Sequence, residues 1–365
     1  MEKKKLIVMA SWDKPIEKTW SGSAYSVAKS LERYYDVLYV NLQIGQLLRI
    51  MRKLSQIPYL GLLFGYLYEI ICQYKANKSV EKYPNVPVLQ IPFSIHIKNP
   101  HFYYQDMTYS AGEELLRLKK NHTWIYDEGI NNSRCPSDTN FRKRLQRNNY
   151  EKANGVLYMS NWVYDYMKSK YPELSSKIYH VGGGSHMDIS QVDFSKKKGN
   201  KFLFIGRDYL RKAGDLVIKA FIKVKEEMMP DAELHIAGPV NNPAPNIKGI
   251  FYYGDTDFEE TRQLFNRCDV FVMPSRFEAY GLVFIEAMIY GLPCVARRYF
   301  EMPYFIEDGK TGMLIDDDDI DDLSRKMYLT INNKQIIKNV QELQSSFIEK
   351  YTWEAVGDRI AKIIE

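Results

Sequence analysis

Two patterns of hydrophobic positions alternate along the whole chain. Short, continuous apolar runs, typical of strands buried on both faces, are followed by longer segments in which apolar residues recur at helical spacing. In the first half, the predicted strands are KLIVMA, DVLYVN, VPVLQIP, HFYYQD, HTWIYDE and GVLYMS. In the second half, they are KFLFIG, ELHIAG, IFYYG, VFVMPS, PCVAR and TGMLI. This alternation predicts parallel sheets covered by helices on both faces.

A polar, lysine-rich stretch, SHMDISQVDFSKKKGN, interrupts the alternation between Ser185 and Asn200 and is typical of a linker. The predicted fold class is therefore α/β, with two doubly wound, Rossmann-like domains that face each other across a cleft. The first domain is predicted to cover residues 1–190 and the second residues 191–350. Ligands of such sheets bind beyond the carboxyl ends of the strands, so we expect the chemistry in the loops that follow them.

Capping signals mark several of the predicted helices. Ser160 precedes the helix NWVYDYMKSKY and is a natural N-cap. Thr256 with Glu259 three residues later has the pattern of a capping box. Gly281 and Gly291 bracket the helix LVFIEAMIY, with Gly291 at the position that commonly ends a helix in a left-handed conformation.

Composition narrows the class of protein. The chain has 365 residues, of which 45% are hydrophobic and 26% charged, and its net charge is +5. Its basic residues form no dense patch with a nucleic-acid-binding motif, so no nucleic acid partner is predicted. The four cysteines, at positions 72, 135, 268 and 294, are too scattered for a zinc site or a disulfide framework and are interpreted as buried free thiols. With no signal peptide and no apolar run that could span a membrane, a cytoplasmic location is expected.

Two cations stand at one strand-to-helix loop of the second half. Arg207 directly follows the strand KFLFIG, and Lys212 lies five residues later, just before the next helix. A planar guanidinium and a point-like ammonium at such a loop suit the oxygens of a phosphate. When only the positions of the two residues are considered, a solvated basic turn remains an alternative to a phosphate site.

Two acids surround the start of a helix in the stretch RFEAYGLVFIEAM. Glu278 precedes the helix, Glu286 lies within it, and Gly281 stands at its N-terminus, where unpaired amides and the helix dipole attract an anion. Because like charges repel, the carboxylates are expected to accept hydrogen bonds from sugar hydroxyls on either side of a diphosphate. The alternative is that Glu286 is an exposed helix residue and Glu278 a first-turn acid.

These segments, over about 150 residues, together resemble a known family. GRDYLRKAGDLVIKAF, ELHIAGP, VFVMPSRFEAYGLVFIEAMIYGLPCVAR and EMPYFIEDGKTGMLI are similar to the C-terminal domain of family 4 glycosyltransferases, also described as glycosyl transferases group 1. These are retaining enzymes of the GT-B fold, in which the first domain binds the acceptor, the second binds a nucleotide-sugar donor, and a C-terminal helix packs back on the first domain. That helix is expected at residues 351–365.

The resemblance also implies the site. Arg207 and Lys212 would hold the diphosphate, Glu278 would lie near the donor sugar, and Glu286 would bind the ribose. The glycine loop of the first domain, around Gly22, would approach the diphosphate from the opposite side. The implied donor-binding residues are Gly22, Arg207, Lys212, Gly238, Tyr253, Glu278, Ala279, Tyr280, Gly281, Leu282 and Glu286, with Gly238 and Tyr253 close to the base. The implied catalytic residues are Glu278, Arg207, Lys212 and Asp127.

The first domain departs from the family. Many members carry a histidine at the end of a strand near the reacting sugar carbon, whereas the comparable strand end here reads WIYDEGI. Asp127 and Glu128 in this stretch, together with Gln105 and Asp106 at the end of the preceding strand, are the predicted acceptor-binding residues. Asp127 is equally compatible with capping the following loop. His101 and His122 stand at strand starts, the wrong end for the cleft, and are interpreted as structural.

Neither a metal nor another cofactor is predicted, and the donor is expected to be UDP- or GDP-linked. The acidic run Asp316–Asp319 precedes a helix and is interpreted as an N-terminal acid cluster rather than a metal site. The segment from residue 46 to 75 mixes Arg49, Arg52 and Lys53 with dense apolar residues, a composition that fits contact with an anionic membrane surface at the inner face of the plasma membrane. A helix pair buried on the first sheet is the preferred alternative.

The predicted activity is transfer of a hexosyl unit, with retention, from a nucleoside-diphosphate sugar to a hydroxyl of a glycan or lipid-linked acceptor, in bacterial surface polysaccharide or glycoconjugate synthesis. Two alternatives stay open. One is a nucleotide-sugar epimerase of the same fold, which would need acid and base residues in the cleft. The other is a non-catalytic partner subunit that retains the fold.

Overall fold

The computed structural model describes residues 3–42, 45, 50–51, 53–54, 61–126, 136–186, 192–193 and 199–365, with the backbone alone for residues 61 and 136–139. The chain divides into two compact units. One contains Met1–Leu118, Asp127–Gly184 and Trp353–Glu365, and the other contains Lys119–Tyr126 and Ser185–Thr352. Each unit is therefore built from stretches that are not contiguous in the sequence.

A six-stranded parallel sheet forms the centre of the first unit, with strand order β2-β1-β3-β4-β5-β6. Its strands are β1 (Lys5–Ala10), β2 (Asp36–Asn41), β3 (Val88–Gln90), β4 (His101–Gln105), β5 (Gly155–Tyr158) and β6 (Ile178–His180). The continuous apolar runs β1 and β5 are buried throughout, apart from Lys5, as expected for strands between two helical layers. The pairing is regular: Val8 lies opposite Tyr39 on one side and Leu89 on the other.

The second unit has its own six-stranded parallel sheet, with strand order β12-β11-β10-β7-β8-β9. Its strands are β7 (Lys201–Ile205), β8 (Glu233–Ala237), β9 (Ile250–Gly254), β10 (Val270–Val272), β11 (Cys294–Arg297) and β12 (Gly312–Ile315). The described helices of both units are α1 (Ser23–Leu31), α2 (Gly61–Val80), α3 (Tyr109–Lys119), α4 (Pro136–Lys152), α5 (Asn161–Lys170), α6 (Gly214–Lys223), α7 (Phe258–Arg267), α8 (Leu282–Ile289), α9 (Met302–Phe305), α10 (Ile320–Asn332), α11 (Lys334–Tyr351) and α12 (Trp353–Ile364).

Each sheet has one point at which the strand order reverses. In the first sheet the reversal lies between β1 and β3, and in the second it lies between β7 and β10. Loops leave such neighbouring strands in opposite directions, which opens a crevice beyond their carboxyl ends. The loops at these two positions are residues 11–22 after β1, 206–213 after β7 and 273–281 after β10. The predicted α/β fold with two doubly wound sheets is thus confirmed.

The last helix, α12, packs on α1 within the first unit. Gly357 lies so close to Ser30 that a Cβ there would come within 2.4 Å of the serine Oγ. Arg33 Nη1 donates to Asp358 Oδ1 at 3.0 Å at the edge of this contact. The end of the chain therefore completes the first unit, although the preceding helix, α11, belongs to the second.

One predicted strand is wrong. Within HTWIYDE, residues 122–126 form no strand, and they belong to the second unit. Alternating aromatic residues imitate a strand, but Trp124 is buried because its ring lies against Arg297, far along the chain. His122 likewise contacts Tyr299, whose hydroxyl lies 2.9 Å from its Nε2. Asp127 and Glu128, at the end of this stretch, lie outside the described residues.

Two capping predictions also need correction. Helix α7 begins with Asp257 as its N-cap, and Asp257 and Glu260 exchange the two bonds of the capping box at 2.8 and 3.0 Å. The predicted pair, Thr256 with Glu259, is therefore displaced by one residue. Ser160 is the N-cap of α5 by position, but its hydroxyl makes no capping bond and has no hydrogen-bond partner among the described residues.

Helix α2 has one packed face and one exposed face. Cys72, Ala76 and Val80 are buried in a cluster with residues of β1 and β3, as expected for a helix that covers the sheet. The opposite face exposes six large apolar side chains, at Leu62, Leu63, Tyr66, Leu67, Ile70 and Tyr74. Positions 49 and 52 lie outside the described residues. Within the described part of the chain, none of the helices combines the length and apolarity needed to cross a bilayer.

Candidate functional site

The loop that follows β7 carries the two predicted cations. Arg207 is three-quarters exposed and holds Asp255 as a fork, with its Nε and Nη2 donating to the two carboxylate oxygens at 2.9 and 3.0 Å. Lys212 is largely buried, and its Nζ donates to the carboxylate of Glu278. Ala213 follows with a φ of 58° and turns the chain into α6. The loop thus delivers one exposed and one buried cation to the reversal point of the sheet.

Glu278 lies at the centre of a cluster of donors on the loop that follows β10. Its carboxylate accepts hydrogen bonds from Lys212, from Ser275 Oγ at 3.1 Å and from Arg211 Nη1 at 3.3 Å. Burial by itself raises the pKa of this carboxyl, but the two cations outweigh burial and hold the pKa below its ordinary value. Burial also lowers the pKa of Lys212, against the opposing influence of Glu278. Glu278 is therefore an ionised carboxylate fixed at the reversal point.

Arg276, two residues before Glu278, holds the loop that follows β10 through two ion pairs. It donates to Asp215 in the first turn of α6 at 2.6 and 2.9 Å, and to Asp318 at 2.7 and 2.9 Å. Burial disfavours the charged guanidinium, but these two carboxylates more than compensate and raise the pKa of Arg276. The loops after β7 and β10 are in this way held in one arrangement.

Arg297, the last residue of β11, also holds the loop that follows β10. It is completely buried, and its guanidinium donates to the carbonyl oxygens of Pro274 and Ser275 at 3.1–3.2 Å. Trp124 covers the guanidinium at 3.9 Å from its ring centroid, and its Nε1 donates to Asp317 Oδ1 at 2.8 Å. The role of this arginine was not predicted from the sequence. A charged residue at the end of the apolar strand CVAR nevertheless indicates that carbonyl or carboxylate partners are present.

The acidic run that precedes α10 is occupied by structural contacts. Asp319 is the helix N-cap and accepts from the backbone N–H groups of Asp321 and Asp322 at 2.8 and 3.1 Å, as the interpretation of a helix N-terminal cluster predicts. Asp316 accepts from Arg298 Nε at 3.1 Å. Among the described residues, no group of three histidine, cysteine, aspartate or glutamate side chains is arranged to hold a metal ion.

Helix α8 begins directly after the loop that follows β10, at the reversal point of the second sheet. Gly281 is its N-cap with a φ of 96°, and a Cβ there would lie 2.9 Å from Met302 Cε and 3.1 Å from Phe284. Glycine is therefore required for both the conformation and the close approach. The first amides of a helix have no intrahelical partner, so the N-terminus of α8 offers the positive end of the dipole to an anion, and amide contacts from Ala279–Leu282 stay a prediction.

Glu286 lies inside the second unit, so the alternative of an exposed helix residue is wrong. The residue is only 8% exposed. Burial raises the pKa of its carboxyl to about 7, which the backbone N–H of His186 only partly offsets by donating to it. Among the described residues, no lysine or arginine pairs with it. Unlike Glu278, this carboxylate therefore has acceptor capacity that remains available for hydroxyl groups.

Gly238 and Tyr253, the residues predicted to lie close to the base, differ in their contacts. Gly238 directly follows β8 with a φ of 107°, and a Cβ there would come within 2.6 Å of the backbone carbon of Gly206, so glycine allows the two loops to touch. The Tyr253 ring stacks on His235 at 5.8 Å, and its hydroxyl lies 2.8 Å from His235 Nδ1. The Tyr253 side chain is therefore engaged with His235, and contact of its backbone with a base stays a prediction.

Three predicted residues lie at the carboxyl edge of the first sheet. Gly22, with a φ of 88°, is the N-cap of α1. Gln105 is buried, with its Nε2 donating to Pro92 O at 2.9 Å and its Oε1 accepting from the Tyr150 hydroxyl. Both ends of its amide are therefore engaged within the first unit, and contact of Gln105 with an acceptor stays a prediction. Asp106 is partly exposed, and burial of its carboxyl raises the pKa to about 6.

Comparison with known proteins gives a family match within the second unit. Residues 187–352 match the family described as Glycosyl transferases group 1. An uncharacterized glycosyltransferase of Methanocaldococcus jannaschii is 26% identical over 206 residues, which is 56% of this chain and 58% of that protein. An uncharacterized 41.2 kDa protein in the cps region of Klebsiella pneumoniae is 36% identical over 132 residues, or 36% of each chain. These matches span less than two thirds of the relatives' own length.

A solved structure extends the likeness to the whole fold. The crystal structure of a glycosyltransferase from Rickettsia africae superposes with a TM-score of 0.64 at 14% identity, covering all of this chain and 98% of the other. Two doubly wound sheets, with cations and acids gathered where the second one reverses, define a protein of the GT-B class. The match of residues 187–352 to the group 1 glycosyltransferases confirms the resemblance seen in the sequence.

Proposed function

We propose that this protein is a retaining glycosyltransferase that moves a hexosyl unit from a nucleoside-diphosphate sugar to a hydroxyl of a glycan or lipid-linked acceptor. The observation that carries the proposal is the set of groups gathered at the reversal point of the second sheet: Arg207, Lys212, the N-terminus of α8 and the acids Glu278 and Glu286. Three positive elements suit a diphosphate, and the acids suit sugar hydroxyls on either side of it. The proposal includes a role in bacterial surface polysaccharide or glycoconjugate synthesis.

The leaving diphosphate is stabilised by groups that are already in place. Lys212 is held by Glu278 and Arg207 by Asp255, so a phosphate that enters exchanges one set of oxygens for another without moving the loop. Glu278 then accepts hydrogen bonds from hydroxyls of the donor sugar. Glu286 accepts from the ribose.

In a same-face displacement, the bond between the anomeric carbon and the phosphate oxygen breaks, and the bond to the acceptor oxygen forms on the same side. The acceptor proton passes to the leaving phosphate. This route needs no protein base, which fits the absence of a candidate histidine from the predicted acceptor residues. Asp106, and Asp127 by prediction, orient the acceptor. The donor is UDP- or GDP-linked.

A panel of nucleotide sugars tests the proposal. We expect at least one of UDP-glucose, UDP-galactose, UDP-N-acetylglucosamine and GDP-mannose to raise the melting temperature and to be hydrolysed slowly without an acceptor. The variant Lys212→Ala should lose both effects, whereas Lys219→Ala, an exposed lysine on α6, should retain them. Absence of both effects with every donor would refute the enzymatic proposal and favour a non-catalytic subunit. Interconversion of donor epimers would instead identify an epimerase.

We also propose peripheral contact with an anionic membrane at the inner face of the plasma membrane. The exposed apolar face of α2 supports this proposal, together with the exposed Lys75 and Lys78 on the same helix. Co-sedimentation with vesicles of phosphatidylserine and phosphatidylcholine should exceed that with phosphatidylcholine alone. Leu63→Glu and neutralisation of Arg49, Arg52 and Lys53 should each reduce it. If the wild-type protein fails to sediment with either vesicle, the membrane contact is refuted.

A further inference from the structure

The loop that follows β1 holds three successive residues in a left-handed conformation. The φ angles are 51° at Trp20, 55° at Ser21 and 88° at Gly22. Glycine adopts this region freely, but a tryptophan and a serine are disfavoured there because of the Cβ. Backbone outliers of this kind concentrate at binding and catalytic sites. The loop also lies at the reversal point of the first sheet, where open α/β sheets bind ligands.

The Trp20 ring packs against one buried aromatic neighbour. It packs edge-on against the ring of Tyr104, with a centroid distance of 5.8 Å and an interplanar angle of 83°. Tyr104 is completely buried, and its hydroxyl donates to Gly182 O at 2.8 Å, so it is a fixed support. Trp20 itself remains partly exposed. Burial alone therefore does not account for a large apolar ring on a disfavoured backbone.

A carboxylate follows the strand whose Tyr104 supports this ring. Asp106 comes two residues after Tyr104, just beyond the end of β4. Burial, and after it the charge of Asp106, raises the pKa of the Tyr104 hydroxyl. The backbone N–H groups of Asp106 and Met107 donate to the Asp106 carboxylate and orient it.

We infer that Trp20 is a platform on which a pyranose ring of the acceptor stacks, while Asp106 accepts a hydrogen bond from one of its hydroxyls. The inference rests on the proposed function and specifies the chemistry of the acceptor. The face of a pyranose that carries C–H groups is apolar and suits an aromatic ring, whereas its rim of hydroxyls suits a carboxylate. The strained backbone would then serve to hold the ring in position.

Two variants separate the ring from the strain. Trp20→Gly removes the platform and places at φ 51° the residue that best tolerates it, so the fold is expected to persist. Ser21→Gly is the matched control, because it relieves the neighbouring strained position and retains the ring. Asp106→Asn removes the charged acceptor while keeping the shape of the side chain. Circular dichroism and melting temperature confirm that each variant is folded.

Binding of methyl pyranosides, measured by saturation-transfer NMR without any donor, tests the inference directly. The probes are the methyl glycosides of glucose, galactose, mannose and N-acetylglucosamine, with glycerol as the comparison polyol. We expect at least one pyranoside to bind the wild type and Ser21→Gly equally, and to bind Trp20→Gly about tenfold more weakly, as the loss of an aromatic contact implies. Equal binding to Trp20→Gly, or binding of glycerol alone, would overturn the inference.

Rates of donor hydrolysis and of sugar transfer distinguish a failure of this inference from a failure of the proposed function. With a donor that the wild type hydrolyses, Trp20→Gly should hydrolyse it at the normal rate but should transfer the sugar to the bound pyranoside about tenfold more slowly. Loss of hydrolysis and transfer together would show that Trp20 acts on the donor or the fold, which contradicts the platform. If the wild type hydrolyses no donor, the proposed function fails, and the NMR measurement still decides the role of Trp20.

Discussion

Replacing Glu286 with glutamine should stabilise the protein at alkaline pH and weaken the proposed binding of a nucleoside diphosphate. The carboxyl is buried, and its pKa is raised from an ordinary 4.5 to about 7. One unit of pKa corresponds to about 1.4 kcal/mol, so a shift of about 2.5 units corresponds to a cost of about 3 kcal/mol for the ionised form. Glutamine has nearly the same shape and carries no charge, so it avoids this cost.

The direction in which stability changes with pH follows from the number of protons that the folded and the unfolded states bind. Between about pH 4.5 and pH 7, the folded protein keeps the Glu286 proton and the unfolded chain has released it. The free energy of unfolding therefore falls as the pH rises through this window. Glu286→Gln should match the wild type below pH 4.5 and should exceed it by up to about 3 kcal/mol at pH 8. For a unit of this size, this gain corresponds to an increase of roughly 6–12 °C in melting temperature.

Thermal melts at pH 5 and pH 8 provide the measurement, with Glu226→Gln, an exposed glutamate of the same unit, as the control. The gain of Glu286→Gln should grow between the two pH values, whereas the control should show none. The same variant should bind the nucleoside diphosphate roughly 10- to 100-fold more weakly, because the amide has lost one acceptor oxygen. A pH-independent gain, or a loss of stability at pH 8, would refute the assignment of Glu286 as a buried, unpaired acid.

Three further changes test other parts of the second unit. Lys212→Ala should weaken binding of UDP or GDP about 10- to 100-fold in calorimetry while the protein stays folded, and unchanged affinity would remove this lysine from the phosphate site. Ala213→Gly should raise the free energy of unfolding by about 1 kcal/mol in urea titration, because the φ of 58° is strained for alanine, and a decrease would show that no strain is present. Trp124→Ala should lower the melting temperature by an amount that corresponds to roughly 3 kcal/mol, since it uncovers the buried Arg297, and an unchanged melt would show that the ring contributes no stability.

The donor half of the candidate site was accessible from the sequence for a topological reason. Arg207 and Glu278 lie at the ends of β7 and β10, strands that are 65 residues apart in sequence but neighbours in the sheet. Apolar runs identify the strands, and the rule that ligands bind beyond their carboxyl ends brings the two loops together without any side-chain detail. The buried state of Glu286 was not accessible in this way, because helix α8 is covered on nearly all sides and helical periodicity cannot reveal that.

Other features depend on contacts that no local pattern encodes. The segment HTWIYDE has the composition of a strand, yet Trp124 is fixed by Arg297 and Asp317, more than 170 positions away. The capping box was displaced by one residue because Thr256 and Asp257 both have side chains that can cap a helix, and only the backbone angle at Asp257 decides between them. Trp20 gave no sequence signal, since a positive φ is not expected of a tryptophan.

The position of residues 119–126 determines how this protein can be divided or recombined. A fragment that begins at residue 185 would contain the whole second sheet, but it would leave the Arg297 guanidinium without the indole that covers it. Such a fragment is expected to be less stable than the same unit in the intact chain. A chimera that exchanges the donor-binding half with that of a relative must therefore carry two separate segments, and the shorter one comes from the part of the gene that encodes the other half.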